Sequence, residues 1–244
     1  NKKITNKLGN ELKKLKLNYY PELDDFYQKL SKWLGLNKNE IFLTEGVSGA
    51  IKSLLETMTV PGKSNIIFPK PTFAMYSVYA QMFNLKVKTI DYNNNYQLKF
   101  NKIYNLIDKN TALVFLPNPN VPIESVIELE KIKKLAAYCK KRKILLVIDE
   151  VYYPFGGPTA LKLIRKYENI FVMRSFSKAF GLAGIRLGYL IGNKKNINYV
   201  SKIRSGYETN TISSAIASFF IDHYNVIIKN ITQVKKGLKY LKHK

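Results

Sequence analysis

The sequence predicts an α/β protein of three layers, helices on both faces of a mostly parallel sheet, and three observations carry that prediction. Short β-rich runs that end in turn residues recur along the chain. Segments with apolar residues at helical spacing lie between most of them. The residues best suited to chemistry fall just after the runs, where sheets of this kind bind ligands. Strand and helix alternating in this way describe βαβ units.

In chain order, residues 1–17 are lysine-rich and weakly amphipathic. Glu45-Gly46-Val47-Ser48-Gly49-Ala50-Ile51 is a small-residue turn opening a helix, a arrangement that suits an anion. Strands are expected at 65–69 (NIIFP), 86–91 (KVKTID), 112–117 (ALVFLP), 144–149 (ILLVID), 169–174 (NIFVMR) and 186–192 (RLGYLIG). Leu129, Ile132, Leu135, Ala136 and Cys139 mark a helix between the third and fourth runs. Residues 225–244 place Val226, Ile227, Ile231, Val234, Leu238 and Leu241 at helical spacing and read as one long helix. Trp33 and Cys139 read as core residues.

Composition narrows the function. The 244 residues are 46% hydrophobic and 23% charged, enough to bury a full core and unlike a disordered chain. One cysteine excludes a disulfide framework or a thiolate metal cluster, and two histidines, His223 and His243, have no ligand-spaced neighbours. No apolar run reaches the roughly 18 residues of a membrane span, and the opening segment has no signal-peptide core. A reduced, soluble, cytoplasmic setting is the expectation. The net charge of +23 raises a nucleic-acid reading, but only five of the 40 basic residues are arginine and the lysines are spread evenly. Nucleic-acid surfaces cluster their basic groups and favour arginine, so a solvated surface is the simpler account.

Three stretches carry chemistry. Residues 175–189, SFSKAFGLAGIRLGY, follow a strand and set Lys178 eight residues before Arg186, with Ser175 and Ser177 just upstream. Asp149-Glu150-Val151-Tyr152 ends an apolar strand in an acid, which is expensive to bury without a cation. The 45–51 turn is the third. Taken singly, these read as a solvated lysine, a loop acid and an ordinary helix start.

Together they resemble the fold-type I aminotransferases that use pyridoxal 5′-phosphate, most closely the histidinol-phosphate aminotransferase branch. Asn18-Tyr19-Tyr20-Pro21-Glu22, Pro71-Thr72-Phe73-Ala74-Met75-Tyr76 and Asn118-Pro119-Asn120-Val121-Pro122 match further family motifs in family order. The resemblance implies that Lys178 binds the cofactor covalently and then shuttles a proton, its pKa lowered by the pocket. It implies that Asp149 pairs with the cofactor's pyridine nitrogen, and that Tyr152 and Asn120 contact its ring oxygen. Arg186, Ser175, Ser177 and the amides of Val47 and Ser48 are implied to hold the phosphate. Phe73 falls where an aromatic ring stacks on the pyridine, and Tyr20 where a tyrosine reaches the neighbouring subunit's cofactor, so a homodimer is implied. The alternative reading of Phe73 and Tyr20 is as ordinary core or interface aromatics.

The resemblance divides the chain into an N-terminal arm (1–20), a cofactor-binding large domain (21–210) and the start of a small C-terminal domain (211–244). The family's arginine for the substrate carboxylate has no equivalent before Lys244, and the Pro122-Ile123-Glu124 turn departs from the family's Pro-Thr-Gly. The expected activity is amino transfer on an amino acid or amino alcohol phosphate, with 2-oxoglutarate as acceptor. A pyridoxal-phosphate-dependent decarboxylase of a phosphorylated amino acid is the alternative within the class. A basic nucleic-acid-binding protein on an inactive α/β scaffold is the alternative outside it.

Overall fold

The computed structural model describes residues 2–242, so His243 and Lys244 lie outside the described residues. Seven strands form a single sheet: β1 (Ile41–Thr44), β2 (Asn65–Lys70), β3 (Lys86–Asp91), β4 (Thr111–Pro117), β5 (Leu145–Asp149), β6 (Ile170–Ser175) and β7 (Gly188–Gly192). Their spatial order is β1-β7-β6-β5-β4-β2-β3. Strand β7 runs antiparallel to both neighbours, and all other pairings are parallel. The six runs expected from the sequence are all present as strands. Strand β1 is the addition: four residues, all buried, give neither alternation nor enough length to stand out.

The helices are α1 (Lys2–Leu12), α2 (Asp24–Leu34), α3 (Gly46–Met58), α4 (Met75–Met82), α5 (Lys102–Leu106), α6 (Leu129–Lys141), α7 (Lys194–Val200), α8 (Thr211–Asp222) and α9 (Tyr224–Lys242). They cover the two faces of the sheet with separate cores. One core packs α2, α6, α8 and the start of α9 against side chains such as Ile67, Val114, Leu146, Ile148 and Val172. The other packs α3, α4 and α7 against Ile66, Leu113, Phe115, Val147, Phe171 and Met173. Successive strand residues therefore face opposite layers, as the pleat requires. The three-layer architecture follows from that alternation.

Cys139 is fully buried in α6 with burial pushing its thiol up to about 12, and Trp33 packs edge-on to Phe180 and Tyr224. Helix α9 fits the long helix expected at 225–244 as far as Lys242. Its stripe divides: Ile227 and Ile231 are buried, while Val234, Leu238 and Leu241 are exposed.

The antiparallel course of β7 matters most for the site. It brings the loop 176–187 out from the end of β6 and back, so that Ser175 pairs with Gly188. Gly188 also pairs with Thr44 at the end of β1. The ends of β1, β5 and β6 thus share one edge of the sheet with that loop. Gly188 has no room for a side chain: a Cβ there would lie 2.6 Å from the Gly46 carbonyl carbon and 2.9 Å from the Arg174 oxygen. Both are backbone atoms that cannot swing aside. Gly188→Ala is expected to cost about 3 kcal/mol, the upper end of overpacking penalties, as measured by chemical denaturation.

Candidate active site

A cavity of about 540 Å³ opens at this edge. It brings together Val47, Ser48, Phe73, Asn120, Asp149, Tyr152, Ser175, Ser177, Lys178 and Arg186. These are the residues singled out in the sequence, with one exception. Tyr20 lines an adjoining open pocket that meets the cavity at Arg186, and it is 77% exposed and stacked on Tyr207 at 4.9 Å.

One end of the cavity is electropositive. Helix α3 starts at Gly46 with no side-chain cap on its first amides, so its N-terminus faces the cavity with free N–H groups. Gly46 adopts φ +67°, and a Cβ on it would lie 3.1 Å from Arg186 Nη2. The missing side chain lets the guanidinium lie against the helix start. Arg186 is exposed and makes no ion pair among the described residues. Ser175 Oγ accepts the Ser177 N–H at 3.0 Å and lies 2.9 Å from Ser177 Oγ, which locks a tight turn and places both hydroxyls at the same end. Helix amides, a guanidinium and two hydroxyls make a phosphate cup.

The other end holds an acid. Asp149 closes β5 and is 2% exposed. Its Oδ2 accepts the Tyr76 hydroxyl at 2.6 Å and its Oδ1 the Val151 N–H at 3.0 Å, but no cation pairs with it among the described residues. Burial pushes its carboxyl up to about 6, against the lowering effect of those two hydrogen bonds and with a smaller rise from Glu150. The adjacent Glu150 is treated quite differently. Its side chain is fully buried, yet Arg174 donates to Oε2 through Nε at 3.0 Å and Nη2 at 2.8 Å, and Thr159 Oγ1 donates at 2.9 Å. One buried acid has its cation and its neighbour faces a cavity without one.

Between the ends lie the lysine and the ring-shaped wall. Phe176 and Phe180 are buried with ring centroids 4.7 Å apart, and they pin the loop so that Lys178 points out of the core into the cavity. Lys178 Nζ lies 5.4 Å from the Tyr152 ring centroid. Lys178 is exposed at the cavity mouth. Phe73 is 46% exposed and forms part of the cavity wall, so it is not a core aromatic.

Two findings depart from the sequence reading. Asn120 reaches the cavity, but its amide is engaged elsewhere: Nδ2 donates to Pro71 O at 2.9 Å and to Tyr92 OH at 2.6 Å, and Oδ1 accepts from Thr72 at 2.6 Å. Both amide hydrogens are used, so Asn120 braces the 118–122 turn against Pro71 and has no N–H left for a ring oxygen. Tyr152 lines the same cavity. The second departure is Tyr76, which the motif reading quoted without a role and which proves to be the hydrogen-bond donor to Asp149. A buried tyrosine at this point of an apolar helix reads as core, and only the fold shows what its hydroxyl meets.

The residues fit pyridoxal 5′-phosphate. That molecule has a phosphate for the cup, a protonatable ring nitrogen for a cation-free buried acid, a flat face for Phe73 and an aldehyde for Lys178. The acid also leaves a mark on stability. A carboxyl whose folded pKa is raised from 3.8 to about 6 favours the fold below the unfolded value, and that contribution is lost as pH rises through 6. Asp149→Asn removes this titration. In the cofactor-free chain its effect on unfolding free energy is expected to move toward stabilisation by about 2 kcal/mol between pH 4 and pH 8, read by urea denaturation at both values.

The match to known proteins agrees. Residues 3–243 match the model of the family described as aminotransferase class I and II. The histidinol-phosphate aminotransferase of Caldanaerobacter subterraneus subsp. tengcongensis is 30% identical over 217 residues, covering 88% of this chain and 61% of that protein. The histidinol-phosphate aminotransferase of Thermoanaerobacter pseudethanolicus is 34% identical over 209 residues, covering 84% of this chain and 58% of that protein. The chain thus spans about three fifths of the length of these relatives. Among solved structures, the histidinol-phosphate aminotransferase from Clostridium acetobutylicum superposes with a TM-score of 0.87 at 24% identity, over 99% of this chain and 72% of that one. The Sinorhizobium meliloti histidinol-phosphate aminotransferase, solved in complex with pyridoxal 5′-phosphate, gives 0.78 at 24% identity, over 89% of this chain and 60% of that one. On the match that runs nearly end to end, the chain belongs to the aminotransferase class I and II family.

Proposed function

We propose that the protein to which this chain belongs is a pyridoxal-phosphate-dependent aminotransferase acting on an amino acid or an amino alcohol phosphate, with 2-oxoglutarate as acceptor. The observation that carries the reading is the cavity with a phosphate cup at one end and a buried, cation-free acid at the other, with Lys178 between them. The family match and relatives named histidinol-phosphate aminotransferase support the reaction class and the phosphorylated donor.

When bound, the cofactor supplies an electron sink for negative charge developing at the substrate Cα. The residues divide the remaining work. Arg186, Ser177, Ser175 and the Val47 and Ser48 amides hold the phosphate dianion and so fix the position of the ring. Asp149, as a carboxylate, accepts the proton-bearing ring nitrogen and keeps that proton in place, which maintains the sink. Tyr152 donates to the ring oxygen, and Phe73 covers one face of the ring. The Lys178 amine would hold the cofactor's aldehyde carbon covalently until the substrate amine displaces it, and the freed amine would then move a proton between the substrate Cα and that aldehyde carbon. Bringing such groups to bear at fixed distance accounts for much of the acceleration in reactions of this kind.

The reading extends to assembly and place. Tyr20 and its neighbours Leu17 and Tyr19 are exposed beside the cavity mouth, and an arm at 1–20 in a homodimer would set Tyr20 against the partner's phosphate. The division into large domain (21–210) and small-domain start (211–244) belongs to the same reading. No described helix is long and apolar enough to cross a membrane, and the single buried cysteine fits a cytoplasmic protein.

Incubation with pyridoxal 5′-phosphate, borohydride reduction and peptide mapping test the lysine. Label on Lys178 alone is expected, and Lys178→Ala should abolish it; label spread over many lysines would contradict the assignment. In the whole protein, keto-acid-dependent amino transfer from histidinol phosphate or a similar donor is expected. Release of carbon dioxide from a phosphorylated amino acid without keto-acid would instead establish the decarboxylase.

A further inference from the structure

Tyr76 is the group nearest the acid that the account above leaves without work. It sits in α4, is fully buried, and its hydroxyl donates to Asp149 Oδ2 at 2.6 Å. Its ring is held on three sides: Phe68 stacks on it at 5.5 Å, Phe115 lies against it at 5.0 Å, and Phe73 meets it edge-on at 6.3 Å with planes 86° apart. Phe68 and Phe115 come from β2 and β4, whereas Phe73 is the exposed ring of the cavity wall.

We propose that Tyr76 is a positioning residue for the cofactor, joining the acid that meets the ring nitrogen to the aromatic ring that covers the ring face. The inference rests on the reading of Asp149 and Phe73 given above. A carboxylate at a strand end can rotate about its last two bonds. With Oδ1 tied to the Val151 N–H and Oδ2 to a phenol that itself cannot move, the plane of the carboxylate is set before any ligand arrives. The phenol also favours the ionised form of the acid, because it donates to the charge. Its edge contact to Phe73 ties the lid ring to the same anchor. A helix of apolar aspect thus carries, on its buried side, the part that sets where a cationic nitrogen is received.

A merely structural tyrosine would stabilise the core without regard to Asp149, and a double-mutant cycle separates the two roles. The probe is pyridoxamine 5′-phosphate, whose amine cannot bond covalently to Lys178, with affinity read by protein fluorescence in the cofactor-free protein. Tyr76→Phe keeps the ring and removes one oxygen. In the native background it is expected to weaken binding roughly tenfold to a hundredfold, the scale of a hydrogen bond to a charged group. In the Asp149→Asn background the same change is expected to have less than about a twofold effect. An analogue with C–H in place of the ring nitrogen should bind Tyr76→Phe and the native chain equally well.

Equal losses in both backgrounds, or an equal loss for the analogue, would overturn the proposal and leave Tyr76 as a packing residue. If Asp149→Asn by itself leaves the probe's affinity unchanged, the reading of Asp149 fails and the inference falls with it. The three results are distinct, so the failure of one is not mistaken for the failure of the other.

Discussion

A buried carboxylate without a cation is the constraint around which this structure is arranged. Asp149 lies at the end of a central strand, where it is 2% exposed and follows the apolar run Leu145–Ile148. Leaving an acid there is costly, because the charged form loses its water and gains only two hydrogen bonds. Natural folds hold such a group where a ligand or a reaction requires it. Its neighbour shows the alternative. Glu150, equally buried, is met by two N–H groups of the Arg174 guanidinium, both on Oε2, and by Thr159. The end of β5 therefore sets side by side an acid that is structurally satisfied and an acid that waits for a cation.

The rest of the site follows from delivering complementary groups to that acid. Strand β7 runs against its neighbours, so one loop can leave β6, carry Lys178, and return with Arg186. The glycine at 188 lets the start of α3 lie directly against this return, and Gly46 in turn makes room for the guanidinium. Positive charge and free amides collect at one end of a cavity whose other end is acidic. Such a cavity suits a ligand with an anionic group and a protonated nitrogen on a rigid ring. The surrounding surface, with a net charge of +23, raises the local concentration of anionic ligands by long-range attraction.

Much of this is legible in the residues. The six expected strands end within one residue of where the structure ends them, and the SFSKAFGLAGIR run lies at the end of β6 and on the loop after it, as its place behind NIFVMR implies. The acid of ILLVID was readable as costly from its apolar strand alone. What the sequence withholds is side-chain partnership. Asn120 matches a motif, yet its amide is consumed by Pro71, Tyr92 and Thr72, residues 28 to 49 positions away. Tyr76 lies 73 positions from Asp149, and its hydroxyl finds the acid only because α4 packs across the sheet. Strand β1 is too short to signal itself. The exposure of Lys178 depends on what covers the cavity mouth, which no local pattern encodes.

The most direct test of the central claim is the titration of Asp149 itself, followed by carbon-13 NMR of its carboxyl with and without bound pyridoxal 5′-phosphate. In the free chain the midpoint is expected near pH 6, where burial sets it. With the cofactor bound, the ring-nitrogen cation should hold the carboxylate ionised, and the midpoint should fall below the ordinary aspartate value of about 3.9. A midpoint near the ordinary value in the free chain, or one that does not move when the cofactor binds, would contradict the account.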